Sequence, residues 1–323
     1  MPLSSHLKST RVILLDPQWG NNTYPYYFGM IKELERSGID VVHIKEKIYS
    51  IAQLKNHGVG KNDVLVFGYG WLGNEIFHRI EGLEDLQNKK ICFFHKPFNN
   101  FDDKISFVKE SQFSVLLSST PMVEDLQKLT NTKSLLFPYA CDHRIFGIKS
   151  NKNRKYDIGF SGALHLQEHY KNVEFSSANL RSRAQHKIAK YFGGKKFING
   201  SDRIRFRIRS TRAYAKKLEN ARMWLSTTGP LHDMSSRYFE VSGSGAICLT
   251  NKIPVGYSHI FKDGENVIEF SEDCSNLLDV LADTLDRPNV LAEMSHHTKN
   301  EIMQNHTYER RANEFLEIID KLG

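Results

Sequence analysis

Short, uninterrupted apolar runs alternate with longer mixed stretches through the first part of the chain. Val12 to Leu15 is such a run, closing on Asp16, and a loop through Gly20, Asn21 and Asn22 leads to a helix near Tyr24 to Arg36. Val41 to Ile44, Asp63 to Phe67, Ile91 to Phe94, Phe113 to Leu117 and Leu135 to Phe137 read as further strands. A helix is expected from about Pro121, since proline is tolerated in a first helical turn. Strands apolar at every position are buried on both faces, which is the pattern of a parallel sheet covered by helices. No internal repeat or low-complexity tract interrupts the alternation.

The polar run from Gly147 to Lys155 is the expected boundary between two domains, 1–150 and 151–323. Beyond it, Tyr156-Asp157-Ile158-Gly159-Phe160-Ser161-Gly162 opens a second series with a strand and a glycine turn. A chain of 323 residues is long for one ordinary core and fits two of similar size.

The densest chemistry lies in S-S-R-Y-F-E-V-S-G-S-G-A-I-C-L-T, residues 235–250. Ser235 or Ser236 caps a short helix, Gly243 and Gly245 break it, and Ala246 to Leu249 is a core strand. Arg237 and Glu240 are three apart and share a face. Free amides, a hydroxyl and an arginine at a helix N-terminus suit a phosphate, and a carboxylate one turn further in suits the hydroxyls of a ribose. An ordinary capped helix with a solvated Arg–Glu pair fits the same residues.

The order Arg237-Tyr238-Phe239-Glu240 followed by Gly-Ser-Gly-Ala-Ile-Cys-Leu-Thr resembles the C-terminal half of group 1 glycosyltransferases, most nearly their CgeB-like, spore-maturation branch. Phe261-Lys262-Asp263-Gly264-Glu265-Asn266 resembles that family's next loop, Leu277 to Leu285 its following helix, and His306-Thr307-Tyr308-Glu309-Arg310-Arg311-Ala312 the start of its last helix. Pro138 to Asp142 resembles its segment entering the linker. The resemblance implies an α/β fold of GT-B architecture: two doubly wound, Rossmann-like domains facing across a cleft. The N-terminal domain would take the acceptor, the C-terminal domain the nucleotide sugar, and the last helix can pack back on the first domain.

On that footing Ser161 and Gly162, at the end of the second domain's first strand, are candidates for the diphosphate, together with Ser235, Ser236 and Arg237. An ordinary strand-to-loop turn explains Gly162 equally well. Glu240 matches by position the second glutamate of the family's paired-glutamate motif and is assigned to the ribose. His232 stands where many members carry the first glutamate, and Asp233 beside it can substitute; this departure bears on the sugar-facing role and on retention of configuration. Asp16 and His95, each at a strand end, are candidates for the acceptor side and for base catalysis. A histidine at a strand end is more often structural.

Composition sets the remaining bounds. Hydrophobic residues make up 40% and charged residues 25% of the chain, as in ordinary globular proteins. No run approaches membrane-spanning length, and the polar start reads as lacking a signal peptide, so a cytoplasmic protein is expected. Cys92, Cys141, Cys248 and Cys274 are widely spaced and suggest reduced thiols rather than a metal site or disulfides. The 44 Lys and Arg exceed the 37 Asp and Glu to give +7, with Arg203, Arg205, Arg207, Arg209, Arg212, Lys216 and Lys217 in one stretch. A solvated face is the default for that stretch; an anionic acceptor such as nucleic acid is the other reading. The expected function is transfer of a sugar from a nucleotide diphosphate sugar to a hydroxyl, retaining, without metal or other cofactor. A DNA-modifying glycosyltransferase, or a non-catalytic nucleic-acid-binding or scaffold protein on the same fold, is the alternative.

Overall fold

The computed structural model describes residues 10–17, 27–68, 79–95, 100–148, 153–164, 180–192, 196–201, 208, 210–229 and 233–322. The chain forms two compact units, Met1–Pro138 with Tyr308–Gly323, and Tyr139–Thr307.

Unit 1 is built on six parallel strands: β1 (Arg11–Leu15), β2 (Asp40–Ile44), β3 (Val64–Phe67), β4 (Lys90–Phe94), β5 (Val115–Ser118) and β6 (Ser134–Leu136). Their order is β2-β1-β3-β4-β5-β6, so the winding reverses between β1 and β3. Val12 to Leu15 and Leu65 to Phe67 are fully buried, which explains why these strands carry no polar alternation. Helices α1 (Phe28–Arg36), α2 (Ile51–Asn56), α3 (Phe101–Ser111) and α4 (Val123–Thr130) connect them. The start expected for the first helix lies outside the described residues. The fifth strand starts two residues later than Phe113, because Gln112 adopts a left-handed conformation (φ 52°) at the end of α3. Phe113 still reaches the core, edge-on to Phe67 at 4.9 Å.

The last helix, α10 (Tyr308–Lys321), belongs to this same unit. Its Phe315 stacks on Phe93 of β4 at 6.1 Å, and Arg311 lies 5.7 Å from the Phe137 ring centre. Gly29 of α1 has the Tyr308 ring where any side chain would stand, so a glycine there lets the two helices approach.

Unit 2 has five parallel strands, β7 (Tyr156–Gly162), β8 (Phe197–Ser201), β9 (Ala221–Leu225), β10 (Ile247–Thr250) and β11 (Val267–Glu269), ordered β11-β10-β9-β7-β8. The winding reverses between β7 and β9. Helices α5 (Leu180–Phe192), α6 (Thr211–Glu219), α7 (Ser236–Gly243), α8 (Leu277–Leu285) and α9 (Pro288–Asn305) accompany the sheet. The division falls at Pro138, before the polar run that composition singled out. Arg154, inside that run, is part of unit 2's framework. Its guanidinium donates to the carbonyls of Leu218 (3.1 Å), Ala221 (2.6 Å) and Ser244 (3.1 Å), and burial lowers its pKa to about 10.

Candidate functional site

In doubly wound sheets, ligands bind beyond the carboxyl ends of the strands where the winding reverses. In unit 2 that place is the end of β7 and β9, and the residues gathered there include most of those picked from the sequence. Gly162 ends β7 with φ 123°, a conformation open to glycine. A Cβ on it would lie 2.9 Å from Arg237 Nη2, so the guanidinium packs over bare backbone. Arg237 sits in the first turn of α7, and its Nε is buried without a hydrogen-bond partner among the described residues. Ser161 accepts a 3.3 Å hydrogen bond from Trp224 Nε1.

The placement of α7 follows from Tyr238. This residue is fully buried, and its hydroxyl donates to the Ser226 carbonyl after β9 at 2.9 Å and meets Thr250 Oγ1 on β10 at 2.6 Å. The helix N-terminus is thereby fixed beside the ends of both strands. Ser235 occupies the N-cap, but neither it nor Ser236 makes the expected capping bond from a side chain: the Ser235 hydroxyl is buried without a partner among the described residues. A polar group left so costs free energy unless something else satisfies it. Ser236 lies beside the Glu240 carboxyl.

Glu240 keeps some exposure, yet its carboxyl is densely surrounded by protein. That burial raises its pKa, opposed by the Ser236 hydroxyl, the Arg237 charge and Tyr214. Asp233 lies with its carboxylate against Gly229, whose amide donates to the Asp233 carbonyl at 2.8 Å. His232 and the four arginines Arg203, Arg205, Arg207 and Arg209 lie outside the described residues.

Three contributors escaped the sequence reading. Arg181, at the start of α5, donates from Nε to Thr227 Oγ1 at 3.0 Å, just past β9. Asn251 clasps Thr228, accepting from its amide at 2.9 Å and donating to its hydroxyl at 2.8 Å. Tyr214 lies beside Glu240 and Ser161. The free polar chain ends of a parallel sheet were the signal available: S-T-T after an apolar strand places three hydroxyl residues at one carboxyl edge.

Unit 1 has its own cluster at the reversal between β1 and β3. Asp16 is buried at the end of β1 and accepts a 2.6 Å hydrogen bond from Tyr27. Gly68, after β3, would place a Cβ 2.6 Å from Asp16 Oδ2, so the carboxylate also leans on bare backbone. The Tyr27 ring stacks on Phe93 at 4.4 Å and on His95 at 6.0 Å. The structure thus brings Asp16 and His95 around one tyrosine. His95 is buried, and its carbonyl accepts from Lys104 at 3.2 Å.

Solved structures with 10–11% identity share this fold over nearly the whole chain. HepE of Anabaena, in complex with UDP and glucose, aligns over 96% of this chain and 99% of its own with a TM-score of 0.63. The fold is GT-B. Sucrose-phosphate synthase of Thermosynechococcus elongatus, also 10% identical, covers 97% of this chain and 99% of its own at a TM-score of 0.62. A UDP-forming α,α-trehalose-phosphate synthase of Burkholderia vietnamiensis, 11% identical, covers 97% and 99% at 0.56. Residues 181–317 match the family model described as glycosyl transferase-like, a span that takes in α5 to most of α10 of this GT-B chain. No curated protein sequence matches. Among the described residues no helix is long and apolar enough to cross a membrane.

Proposed function

We propose that the chain is a nucleotide-sugar-dependent glycosyltransferase, with the donor diphosphate bound at the carboxyl edge of unit 2. One observation carries this reading. Arg237 lies over the bare backbone of Gly162, beside the N-terminus of α7 and at the point where the sheet winding reverses. Backbone amides, a helix dipole and a guanidinium together favour a dianionic phosphate group. Arg181 adds a second guanidinium beside the end of β9. Glu240 accepts hydrogen bonds from the ribose hydroxyls on this reading, and Asp233 and His232 are assigned to the sugar. Within the family we favour the CgeB-like branch, on the Arg-Tyr-Phe-Glu helix and the His-Thr-Tyr-Glu-Arg-Arg-Ala segment.

In the reaction, an acceptor hydroxyl oxygen bonds to the anomeric carbon as that carbon's bond to the diphosphate oxygen breaks, and the hydroxyl's proton passes to a base on the acceptor side, Asp16 or His95. The electron pair leaves with the diphosphate, whose growing charge is met by Arg237, Arg181 and the α7 amides. On this account positive protein groups do the work without a metal or other cofactor, and configuration is retained. Asp16 and His95 of unit 1 are assigned to the acceptor, a carbohydrate or another hydroxyl compound. The two domains of the reading are 1–150 and 151–323 in function, cytoplasmic in setting. A thermal-shift screen against UDP, ADP, GDP and their sugars tests it, because a ligand of the folded state raises the melting temperature. One nucleoside diphosphate should stabilise the chain, and the matching sugar nucleotide should be hydrolysed or transferred. No shift with any of them would overturn the reading.

A further inference from the structure

β9 and β10 pair in parallel from Met223 with Ile247 to Leu225 with Leu249, and the Ser226 amide adds a further rung to the Leu249 carbonyl at 2.9 Å. An unbroken parallel ladder would send the amide two residues on, that of Thr228, to the Asn251 carbonyl. It goes instead to the Asn251 side chain, whose Oδ1 accepts at 2.9 Å while Nδ2 donates to the Thr228 hydroxyl at 2.8 Å. The two backbones have begun to part, and one amide side chain bridges them with two bonds. Ser226 is tied separately, its carbonyl accepting from the Tyr238 hydroxyl at 2.9 Å. Thr227 stands between these two anchored residues, and its hydroxyl accepts from Arg181 Nε at 3.0 Å.

From this geometry we infer that Asn251 and Thr227 are positioning residues for Arg181, Asn251 holding the segment after β9 and Thr227 holding the guanidinium. A bond at Nε sets the plane of the guanidinium. It turns the edge formed by the two Nη nitrogens away from Thr227, and that edge can grip a phosphate through two parallel bonds. An arginine side chain has many rotamers to lose, so fixing it before the ligand arrives contributes to affinity. The inference rests on the reading of unit 2's carboxyl edge as the donor diphosphate site.

Closing the sheet does not by itself call for these groups. Asn251, Thr227 and Thr228 are all buried, where a polar group costs free energy unless it is fully bonded. Valine at 227 and leucine at 251 would bring no polar atoms to satisfy. What the polar residues add is direction: each printed contact sets the place of one atom in a short path from the end of β10 to the guanidinium.

The test is calorimetric titration of wild type with UDP, ADP and GDP. The tightest of the three is then used on Arg181→Ala, Thr227→Val, Thr227→Ser and Asn251→Ala, and on the doubles joining Arg181→Ala to Thr227→Val or Asn251→Ala. Arg181→Ala should weaken binding by about tenfold or more, the scale of one charge-assisted hydrogen bond. Thr227→Val and Asn251→Ala should each cost about fivefold, and Thr227→Ser, which keeps the accepting hydroxyl, should restore binding. In the Arg181→Ala background both changes should cost less than about twofold, because the group they position is gone. A purely structural role would lower affinity independently of Arg181, so equal losses in both backgrounds would overturn the inference and leave the donor reading standing. If Asn251→Ala fails to fold, the Thr227 series decides alone. Binding of none of the three nucleotides by wild type would overturn the donor reading, and the inference with it.

Discussion

Gly162 and Arg237 fit together because Gly162 has no side chain: a Cβ there would stand 2.9 Å from the Arg237 guanidinium, on a backbone held at φ 123°. The two residues are distant in sequence, and the parallel sheet unites them by placing the end of β7 next to the helix that follows β9. A strained backbone at such a place has a functional use when it lets a ligand come close.

Gly162→Ala should therefore lower both stability and nucleotide affinity. Forcing an alanine into this conformation costs about 1–3 kcal/mol, and the added methyl pushes Arg237 from its seat. Denaturant unfolding and UDP titration read the two effects separately. Full affinity in a destabilised variant would show that Arg237 does not need its place over Gly162.

Arg237→Lys keeps the charge and loses the planar fork. If the guanidinium meets the leaving diphosphate through two donors, the lysine variant should lose about tenfold in UDP affinity, the order of one charge-assisted hydrogen bond. The rate of donor hydrolysis should fall by more, because charge grows on the diphosphate in the transition state. Wild-type activity in this variant would make Arg237 an ordinary surface partner of a carboxylate.

Glu240→Gln should separate function from stability. Burial raises the Glu240 pKa above 4.5 in the folded chain. The folded state then holds its proton more tightly than the unfolded state, so wild-type stability falls as pH rises through the interval between the two pKa values. The glutamine variant has no such proton to lose. Its melting temperature should match wild type most closely below that interval and exceed it at neutral pH, while UDP binding weakens by about tenfold or more. A variant less stable than wild type at pH 7 would mean that Glu240 stabilises the fold.

The sheet of unit 1 was legible because β3 is apolar at every position and β1 at all but its first, Arg11, a pattern few other structures produce. Residues 235–250 were legible because a helix start, a glycine break and a buried strand follow one another within one short span. β8 was not, since Phe197-Ile198-Asn199-Gly200-Ser201 has only two apolar residues, as befits an edge strand. The role of Arg154 was not legible: a guanidinium that satisfies three carbonyls looks in sequence like one more charge in a polar run. Tyr214 and Arg181 could not be found because periodicity reports which face is buried and not which distant side chain lies opposite. The Gly162–Arg237 contact is of the same kind, as it depends on strand order.

Asp16 decides whether unit 1 takes part in the chemistry. Its carboxylate is buried at the end of β1, bonded to Tyr27 at 2.6 Å and leaning on Gly68. Asp16→Asn preserves shape and removes the charge. On the proposed division of labour it should leave UDP affinity unchanged and lower transfer to the acceptor by about a hundredfold, within the range for a lost acid–base group. Gly68→Ala is the companion probe, since its methyl would displace the Tyr27–Asp16 pair without altering either residue. It should lower transfer in the same direction, again with UDP binding intact. Loss of UDP affinity in Asp16→Asn would mean that the carboxylate supports the donor. Full transfer in both variants would reduce the cluster to a structural pairing and leave the acceptor base to be sought elsewhere in the chain.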